Sequence, residues 1–338
     1  MQTFSTTGGI QKMTRTLAHS LHLLAERKTW NFELWSLYDS NQDLMAQYLP
    51  AEKFNGFNLN RVSFMFKTIA ASKKPDIIIL THINLAAIGL LIKKINPNCK
   101  VWLIAHGIEV WRPLSLLKRA LLKQCDTIVC VSNFTKQQMI TRHKTNETKC
   151  IVLNNAVDPF MKLPVTFTKP GQLIKRYNLT EENQVLFTLT RLASTEQYKG
   201  HDQVIKVISK LKIQFPGIKY ILSGKYDQTE KIRIQSLINE YGVAEQVILT
   251  GFLDEDELPD HFLLADVFVL PSKKEGFGIV FIEALACGLP AVCGNSDGSI
   301  DAICNGKLGK AVNADSLDEL ETAIKDYLNL LSTEAERR

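Results

Sequence analysis

Two carboxylates frame a glycine turn in the stretch DVFVLPSKKEGFGIVFIEALACGLP, Asp266 to Pro290. Glu275 stands just before Gly276-Phe277-Gly278, and Glu283 lies inside a helical pattern that begins near Ile279 and closes at Gly288-Leu289-Pro290. A glycine turn running into a helix N-terminus offers unpaired backbone N–H groups and the positive end of a dipole, which suits an anion such as phosphate. Two carboxylates beside an anion site make sense when the ligand also carries hydroxyls, because a carboxylate accepts two hydrogen bonds from a diol. Anion and diols together describe a nucleotide-sugar. The bland alternatives are a surface charge for Glu275, after Lys273 and Lys274, and a solvated helix residue for Glu283. The apolar flanks of Glu283 (Ile282, Ala284, Leu285) leave it little polar face.

Other residues extend the same chemistry. Arg191 and Lys199, in TRLASTEQYKGHD, could clamp a diphosphate, Arg by paired hydrogen bonds and Lys as a point charge; two exposed loop cations would be spelled the same way. His106 follows the apolar run Leu103-Ile104-Ala105 and suits contact with a reacting group or a sugar hydroxyl, or a purely structural role. Gly8-Gly9 at a helix start resembles an anion-binding turn or a simple helix entry. Asp254-Glu255-Asp256 invites a metal reading, but Asp254 with Glu257 also fits a capping box, and the cap is preferred. Leu114 to Lys123, LSLLKRALLK, fits a helix lying on an anionic membrane surface or one facing the core with snorkelling cations.

The elements that must position these residues alternate. In the first half, strands are read at Phe32–Leu37, Ile77–Leu80, Val101–Ala105, Thr127–Val131 and Ile151–Leu153. The helices between and around them fall after Gly9 and at Val62–Ala71, Leu85–Ile95, Leu114–Leu122 and from Ser132 to Arg142. Asp158–Asn183 loses the pattern amid Pro159, Pro164, Pro170 and Gly171, and reads as a connection. Strands resume at Val185–Leu189, Lys219–Leu222, Val247–Leu249, Val267–Leu270 and Ala291–Cys293, with helices at Val204–Phe215, Glu230–Tyr241, Asp256–Leu263, from Ile279, and at Leu317–Leu331. Such alternation predicts two doubly wound α/β domains, 1–160 and 184–338, joined by a linker at 161–183. His106, Arg191, Gly224, Gly251 and Glu275 all follow strands, where ligands sit in parallel sheets.

Composition narrows the class. A chain of 338 residues with 45% hydrophobic and 22% charged residues is ordinary for a globular protein of two domains. No apolar stretch reaches the ~20 residues of a membrane span, and MQTFSTTGGI has no signal-peptide pattern. Seven cysteines without a CxxC pair fit a reduced, cytoplasmic protein. The net charge of +5 is uneven: residues 1–160 hold 20 Lys+Arg and 10 Asp+Glu, and the remainder 20 and 25. A basic first half fits an anionic partner, a lipid surface or phosphorylated acceptor; no nucleic-acid motif is present. An NAD fingerprint is disfavoured because Phe281 occupies the place of its third glycine.

These residues resemble the family 4 glycosyltransferases (the "glycosyl transferases group 1" domain), retaining enzymes of GT-B fold. The likeness runs from Gly8 to about Leu331 through TGGIQ, His106-Gly107, VSNFTKQQM, NNAVD, TRL…YKGHD, LTGFL…DELPDHFLLADVFVLPS and above all EGFGIVFIEALACGLPAV. It implies two Rossmann-like domains facing across a cleft. It further implies that Arg191 and Lys199 grip the donor diphosphate and that Glu283 accepts from the ribose hydroxyls. Glu275, with backbone amides at Phe277, Gly278 and Ile279, would hold the donor sugar; Gly9 would approach the diphosphate from the other domain, and His106 would lie by the reacting sugar. Gly251 counts with the donor-binding residues, and His106, Arg191, Lys199 and Glu275 with the catalytic ones.

The expected protein is a metal-independent, retaining transferase with no cofactor. It takes a UDP- or GDP-sugar and a glycan or lipid-linked acceptor in surface polysaccharide assembly, in the cytoplasm or at the inner face of the plasma membrane. A nucleotide-sugar epimerase or phosphorylase of the same fold, or a non-catalytic nucleotide-sugar binder, are the competing readings. Three departures from the family stand out. The first strand is absent or reduced to Gln2–Ser5, STEAERR ends the chain where the family has a crossover helix, and Gly298-Ser299 with Asp301 replaces the usual GG and Glu. The sequence leaves open whether the chain is a fragment of a longer protein.

Overall fold

The computed structural model of the protein describes residues 2–331; the STEAERR tail lies outside them. The chain divides into two compact units after Phe160. No helix among the described residues is long and apolar enough to cross a membrane.

The first unit opens with α1 (Gly9–Lys28) and a two-stranded parallel pair, β1 (Leu34–Ser36) with β2 (Phe54–Gly56). It continues with α2 (Arg61–Ala71), β3 (Ile77–Leu80), α3 (Ala86–Ile95), β4 (Lys100–Ala105), α4 (Ile108–Trp111), α5 (Leu116–Gln124), β5 (Thr127–Cys130), α6 (Asn133–His143) and β6 (Cys150–Val152). The last four strands form one parallel sheet in chain order. Val101, Leu103, Leu121, Ile128 and Met139 are fully buried between sheet and helices, each contributing about 1.5–3 kcal/mol by burial. Ser132 caps α6, accepting the Thr135 N–H, as its sequence position predicts.

Among the described residues no strand precedes Gly8. Residues 3–6 are bent instead, and a single buried carboxylate holds residues 3–5. Asp39 accepts the N–H groups of Thr3 (2.7 Å), Phe4 (3.4 Å) and Ser5 (3.0 Å) and the hydroxyls of Ser5 and Ser36 (each 2.5 Å). Burial alone would raise its pKa, but the Ser36 and Ser5 hydrogen bonds and those of the backbone outweigh it, and Asp39 lies below the ordinary value. Phe4 packs against Tyr48, Leu49 and Phe54 in a small core of its own.

The stretch read as a linker, 161–183, belongs to the second unit. It contains α7 (Gly171–Arg176), and side chains tie it down: Lys169 to Asp266 (2.8 Å), Gln172 to Asp260 (2.7 Å), Arg176 to Glu257 (2.8 Å) and the Tyr177 hydroxyl to His261 (2.8 Å). The unit then runs β7 (Val185–Leu189), α8 (His201–Gln214), β8 (Lys219–Ser223), α9 (Gln228–Glu240), β9 (Val247–Gly251), α10 (Leu258–Leu264) and β10 (Val267–Leu270). It ends with α11 (Ile279–Ala286), β11 (Ala291–Gly294), α12 (Ser299–Ala302), β12 (Gly309–Val312) and α13 (Leu317–Leu331). Its six parallel strands lie in the order β12-β11-β10-β7-β8-β9. That is the doubly wound Rossmann order, and the strand sequence reverses between β7 and β10.

One local expectation fails. Asp254 stands at the cap position before Glu255–Glu257, but its side chain accepts no capping bond; only its backbone carbonyl takes the Glu257 N–H. Pro259 explains this. A proline belongs in the first helical turn, so α10 starts at Leu258 and the acidic triplet is left as a separate 3-10 turn.

Candidate functional site

The reversal point of the second sheet is built from its most apolar strand. All four residues of β10 are buried, and Phe268 stacks edge-to-face on Phe187, Phe262 and Phe281. Phe281 belongs to α11, so the same aromatic cluster fixes where that helix starts. Gly278, just before it, has φ +79, and a Cβ there would lie 2.5 Å from the Phe281 ring. Only glycine allows the turn and the close approach together. The result sets Phe277, Gly278 and Ile279 at the N-terminus of α11, directly after the carboxyl end of β10, with Glu283 buried one turn into the helix.

The loop after neighbouring β7 meets this turn. Gly200 (φ +81) lies against the Pro271 carbonyl so closely that a Cβ would collide with it, and the Lys273 N–H donates to the Tyr198 carbonyl (3.0 Å). Lys199, largely buried, donates to Glu275 Oε1 at 2.5 Å. Burial by itself lowers the Lys199 pKa, but the charge and hydrogen bond of Glu275 outweigh it and hold the ammonium above its ordinary value. Arg191, on the same loop, is 75% exposed and pairs with Glu196 at 2.7 Å. The loops after β8 and β9 close the row. Gly224 packs on the Thr190 carbonyl, and its N–H donates to Gly251 O (2.8 Å), where Gly251 has φ +77 beside the Tyr226 ring. Arg191, Lys199, Gly251, Glu275, Phe277, Gly278, Ile279 and Glu283 thus collect along the carboxyl edge of one sheet.

His106 and Gly9 belong to the first unit. His106 ends β4 and is buried. Its Nε2 is 2.8 Å from the Thr81 carbonyl, which assigns the proton to Nε2 and leaves Nδ1 as the acceptor. Burial pushes its pKa down against the pull of Glu109, so the ring is neutral near pH 7. Glu109 accepts the N–H groups of His106 (2.7 Å) and Gly107 (3.2 Å), fixing the turn. Gly9 is the first residue of α1.

Sequence reading missed two groups. Asp297, in the loop after β11, is buried and accepts the Glu275 N–H at 2.6 Å; its one signal was a position just past a strand and before a glycine. Among the described residues, His201, Asp202 and Glu230 alone form a His/Cys/Asp/Glu group compact enough for a metal. Arg233 occupies it, bonding Asp202 (2.6 Å) and Glu230 (2.7 Å). Despite burial, the hydrogen bonds of Arg233 and His201 bring Glu230 down to about 2. Sequence spacing joins His201 to Asp202 and, one helical turn apart, Glu230 to Arg233; the packing of α8 on α9 brings the two pairs together.

Chemically, the carboxyl edge offers two cations, a glycine-opened helix N-terminus and two carboxylates. The profile "Glycosyltransferase Family 4" matches residues 7–159 and "Glycosyl transferases group 1" matches 172–337. The GDP-mannose-dependent alpha-(1-6)-phosphatidylinositol monomannoside mannosyltransferase of Mycolicibacterium smegmatis is 30% identical over 257 residues, 72% of this chain and 64% of that protein. The Mycobacterium tuberculosis protein of the same name is 30% identical over 66% of this chain and 59% of its own length. The chain thus spans less than two thirds of these relatives. In structure, Anabaena HepE in complex with UDP and glucose superimposes with a TM-score of 0.77 at 17% identity, over 99% of this chain and 90% of that one. With both halves matched and the fold shared, the chain belongs to the glycosyltransferases of GT-B fold, family 4 in its first half and group 1 in its second.

Proposed function

We propose that this protein is a retaining, metal-independent glycosyltransferase that moves a sugar from a UDP- or GDP-sugar to a glycan or lipid-linked acceptor. The observation that carries the reading is the meeting of Lys199, Glu275 and the α11 N-terminus at the strand reversal point. Arg191, Lys199 and the helix dipole stabilise the charge that grows on the leaving diphosphate, which is where a preorganised electrostatic site lowers a barrier most. This role needs neither a metal nor a protein nucleophile. Glu283 accepts from the ribose hydroxyls, Glu275 and the amides at Phe277, Gly278 and Ile279 hold the donor sugar, and Gly251 lines the donor edge. In the first unit, neutral His106 offers Nδ1 as an acceptor for a sugar hydroxyl, and Gly9 opens α1 with its N-terminal N–H groups. A GDP-mannose-dependent relative acting on a phosphatidylinositol mannoside supports a lipid-linked acceptor; HepE with UDP keeps the uridine donor open.

The first unit supports the acceptor's setting, a cytoplasmic membrane face during surface polysaccharide assembly. On α2, Val62 (81% exposed) and Phe66 (74%) point outward beside Arg61 and Lys67, and on α5 Leu116 (78%) and Leu117 do so beside Arg119. Leu121 and Leu122 of α5 face the core, as the core-facing reading of its sequence expects, and the exposed Leu116 and Leu117 are what supports the membrane reading. Apolar tips among cations fit an anionic bilayer surface.

The test is a panel of labelled nucleotide-sugars with and without acceptor, alongside calorimetry with UDP and GDP. Nucleotide release that depends on acceptor, unchanged by EDTA, is expected. Isomerised donor without release would place the protein among epimerases, and no binding of either nucleotide would remove the enzyme reading. Glu283→Ala is expected to weaken nucleotide binding by about tenfold, the worth of roughly one charged hydrogen bond; wild-type affinity in that variant counts against the site.

A further inference from the structure

Asp297 is the most buried carboxylate beside the candidate donor site, at 1% exposure. One oxygen accepts the Glu275 N–H (2.6 Å) and the other the Ser299 N–H (2.9 Å). The neighbouring Gly298 N–H donates to the Glu275 carbonyl (2.8 Å). A Cβ at Gly298 would collide with the Gly276 carbonyl, and one at Gly294 with the Ser272 carbonyl, so the loops after β10 and β11 run backbone to backbone. Glu275 is therefore gripped at every polar point described: its N–H by Asp297, its C=O by Gly298 and its side chain by Lys199.

An asparagine oxygen would accept the same N–H without the cost of burying a charge. A carboxylate in this place sets a second negative group beside Glu275. The titratable groups facing it are Glu275 from the loop after β10, Cys293 at the end of its own strand and, behind Glu275, Lys199 from the loop after β7. Burial first and the Glu275 charge second push the Asp297 carboxyl up to about 7. Lys199 is the cation that quiets Glu275, and it is also the cation an incoming diphosphate would engage.

We propose that Asp297 is a positioning residue for Glu275 and that it takes up a proton from solvent when a nucleoside diphosphate binds at Lys199. The inference rests on the donor-site reading above. A bound diphosphate draws Lys199 toward its own oxygens and adds negative charge nearby. Both effects favour the neutral carboxylic acid at Asp297, so the ligand and one proton arrive together. Protonation leaves Asp297 one carbonyl oxygen, enough to keep the Glu275 N–H.

The experiment is calorimetric titration of the whole protein with UDP and with GDP near pH 7, each in HEPES and in Tris, whose ionisation heats differ and neither of which carries a phosphate. Wild type is expected to show a buffer-dependent heat corresponding to net proton uptake relative to Asp297→Asn. The nucleotide's own phosphate titrates equally with both proteins, so the difference reports Asp297. Equal buffer dependence in the two proteins overturns the inference while leaving the donor site standing. No heat with either nucleotide overturns the donor site itself.

A second arm needs no ligand and no variant. The Glu275 amide NMR signal should titrate near pH 7 in the free protein; an amide shift flat from pH 5 to 8 overturns the proposal even if Asp297→Asn fails to fold. In turnover, Asp297→Ala is expected to lower kcat by ~100-fold with nucleotide affinity changed less than about threefold. Misplacing a sugar-holding group affects the reacting geometry rather than nucleotide binding. Asp297→Glu should recover part of that loss.

Discussion

Lys199 and Arg191 are both cations on the loop after β7, yet the structure gives them different costs of removal. Lys199 is largely buried against Glu275, so Lys199→Ala strands a carboxylate; chemical denaturation should show a loss of about 3 kcal/mol. Arg191 is exposed, and its pair with Glu196 is solvent-screened. Arg191→Ala should leave stability within ~0.5 kcal/mol and weaken UDP or GDP more than the free nucleoside. Equal stability losses in the two variants would contradict this assignment. His106 and Asp297 pull the pH dependence of stability in opposite directions. His106 has a depressed folded-state pKa, so its contribution is present above 6.5 and is lost as pH falls. Asp297 has a raised one, so its contribution is present below 3.8 and is lost as pH rises toward about 7. In thermal scans between pH 5 and 8, His106→Gln should flatten the acid-side decline and Asp297→Asn the rise toward acid. Unchanged slopes in both would refute the pair.

At the scale of elements, the aromatic cluster under α11 sets where the helix starts. Phe281→Ala opens a hole against Phe268, whose ring is 5.4 Å away, and should cost about 3–5 kcal/mol while loosening Gly278. Nucleotide binding should fall with stability, and a variant that unfolds earlier yet binds as wild type would show that the helix start is fixed elsewhere. This element was legible in the sequence because β10 is a short apolar run buried on both faces and α11 follows a Gly that only one backbone conformation suits. β3, β7, β10 and α13 begin and end where the apolar pattern places them. β2 and β12 were not legible: Phe-Asn-Gly and Gly-Lys-Ala-Val carry no strand period, and each exists because a neighbouring strand pairs with it. The strand reversal that brings Lys199 to Glu275 is likewise a matter of sheet order, which no local pattern encodes. Asp297 stayed hidden for the same reason, since its partner is a backbone amide from another loop.

At the scale of the molecule, each unit carries its own core, and the basic charge lies in the first. Sedimentation with phosphatidylglycerol vesicles should show binding at low salt that is largely lost near ~0.5 M, where the screening length is only a few ångströms. Phe66→Ser should weaken binding at every salt concentration. Retention at high salt with Phe66→Ser unchanged would refute a surface contact made by α2. The first unit also shows how little sequence is needed to hold a bent segment in place. Asp39 holds residues 3–5 mainly through their backbone N–H groups, which nearly every amino acid supplies. In a saturation scan, exposed position 5 should therefore accept most substitutions except proline, buried position 3 only small ones, and position 4 most apolar ones. Position 39 should accept almost none, so the information for the whole segment is concentrated in a residue more than thirty positions downstream of it.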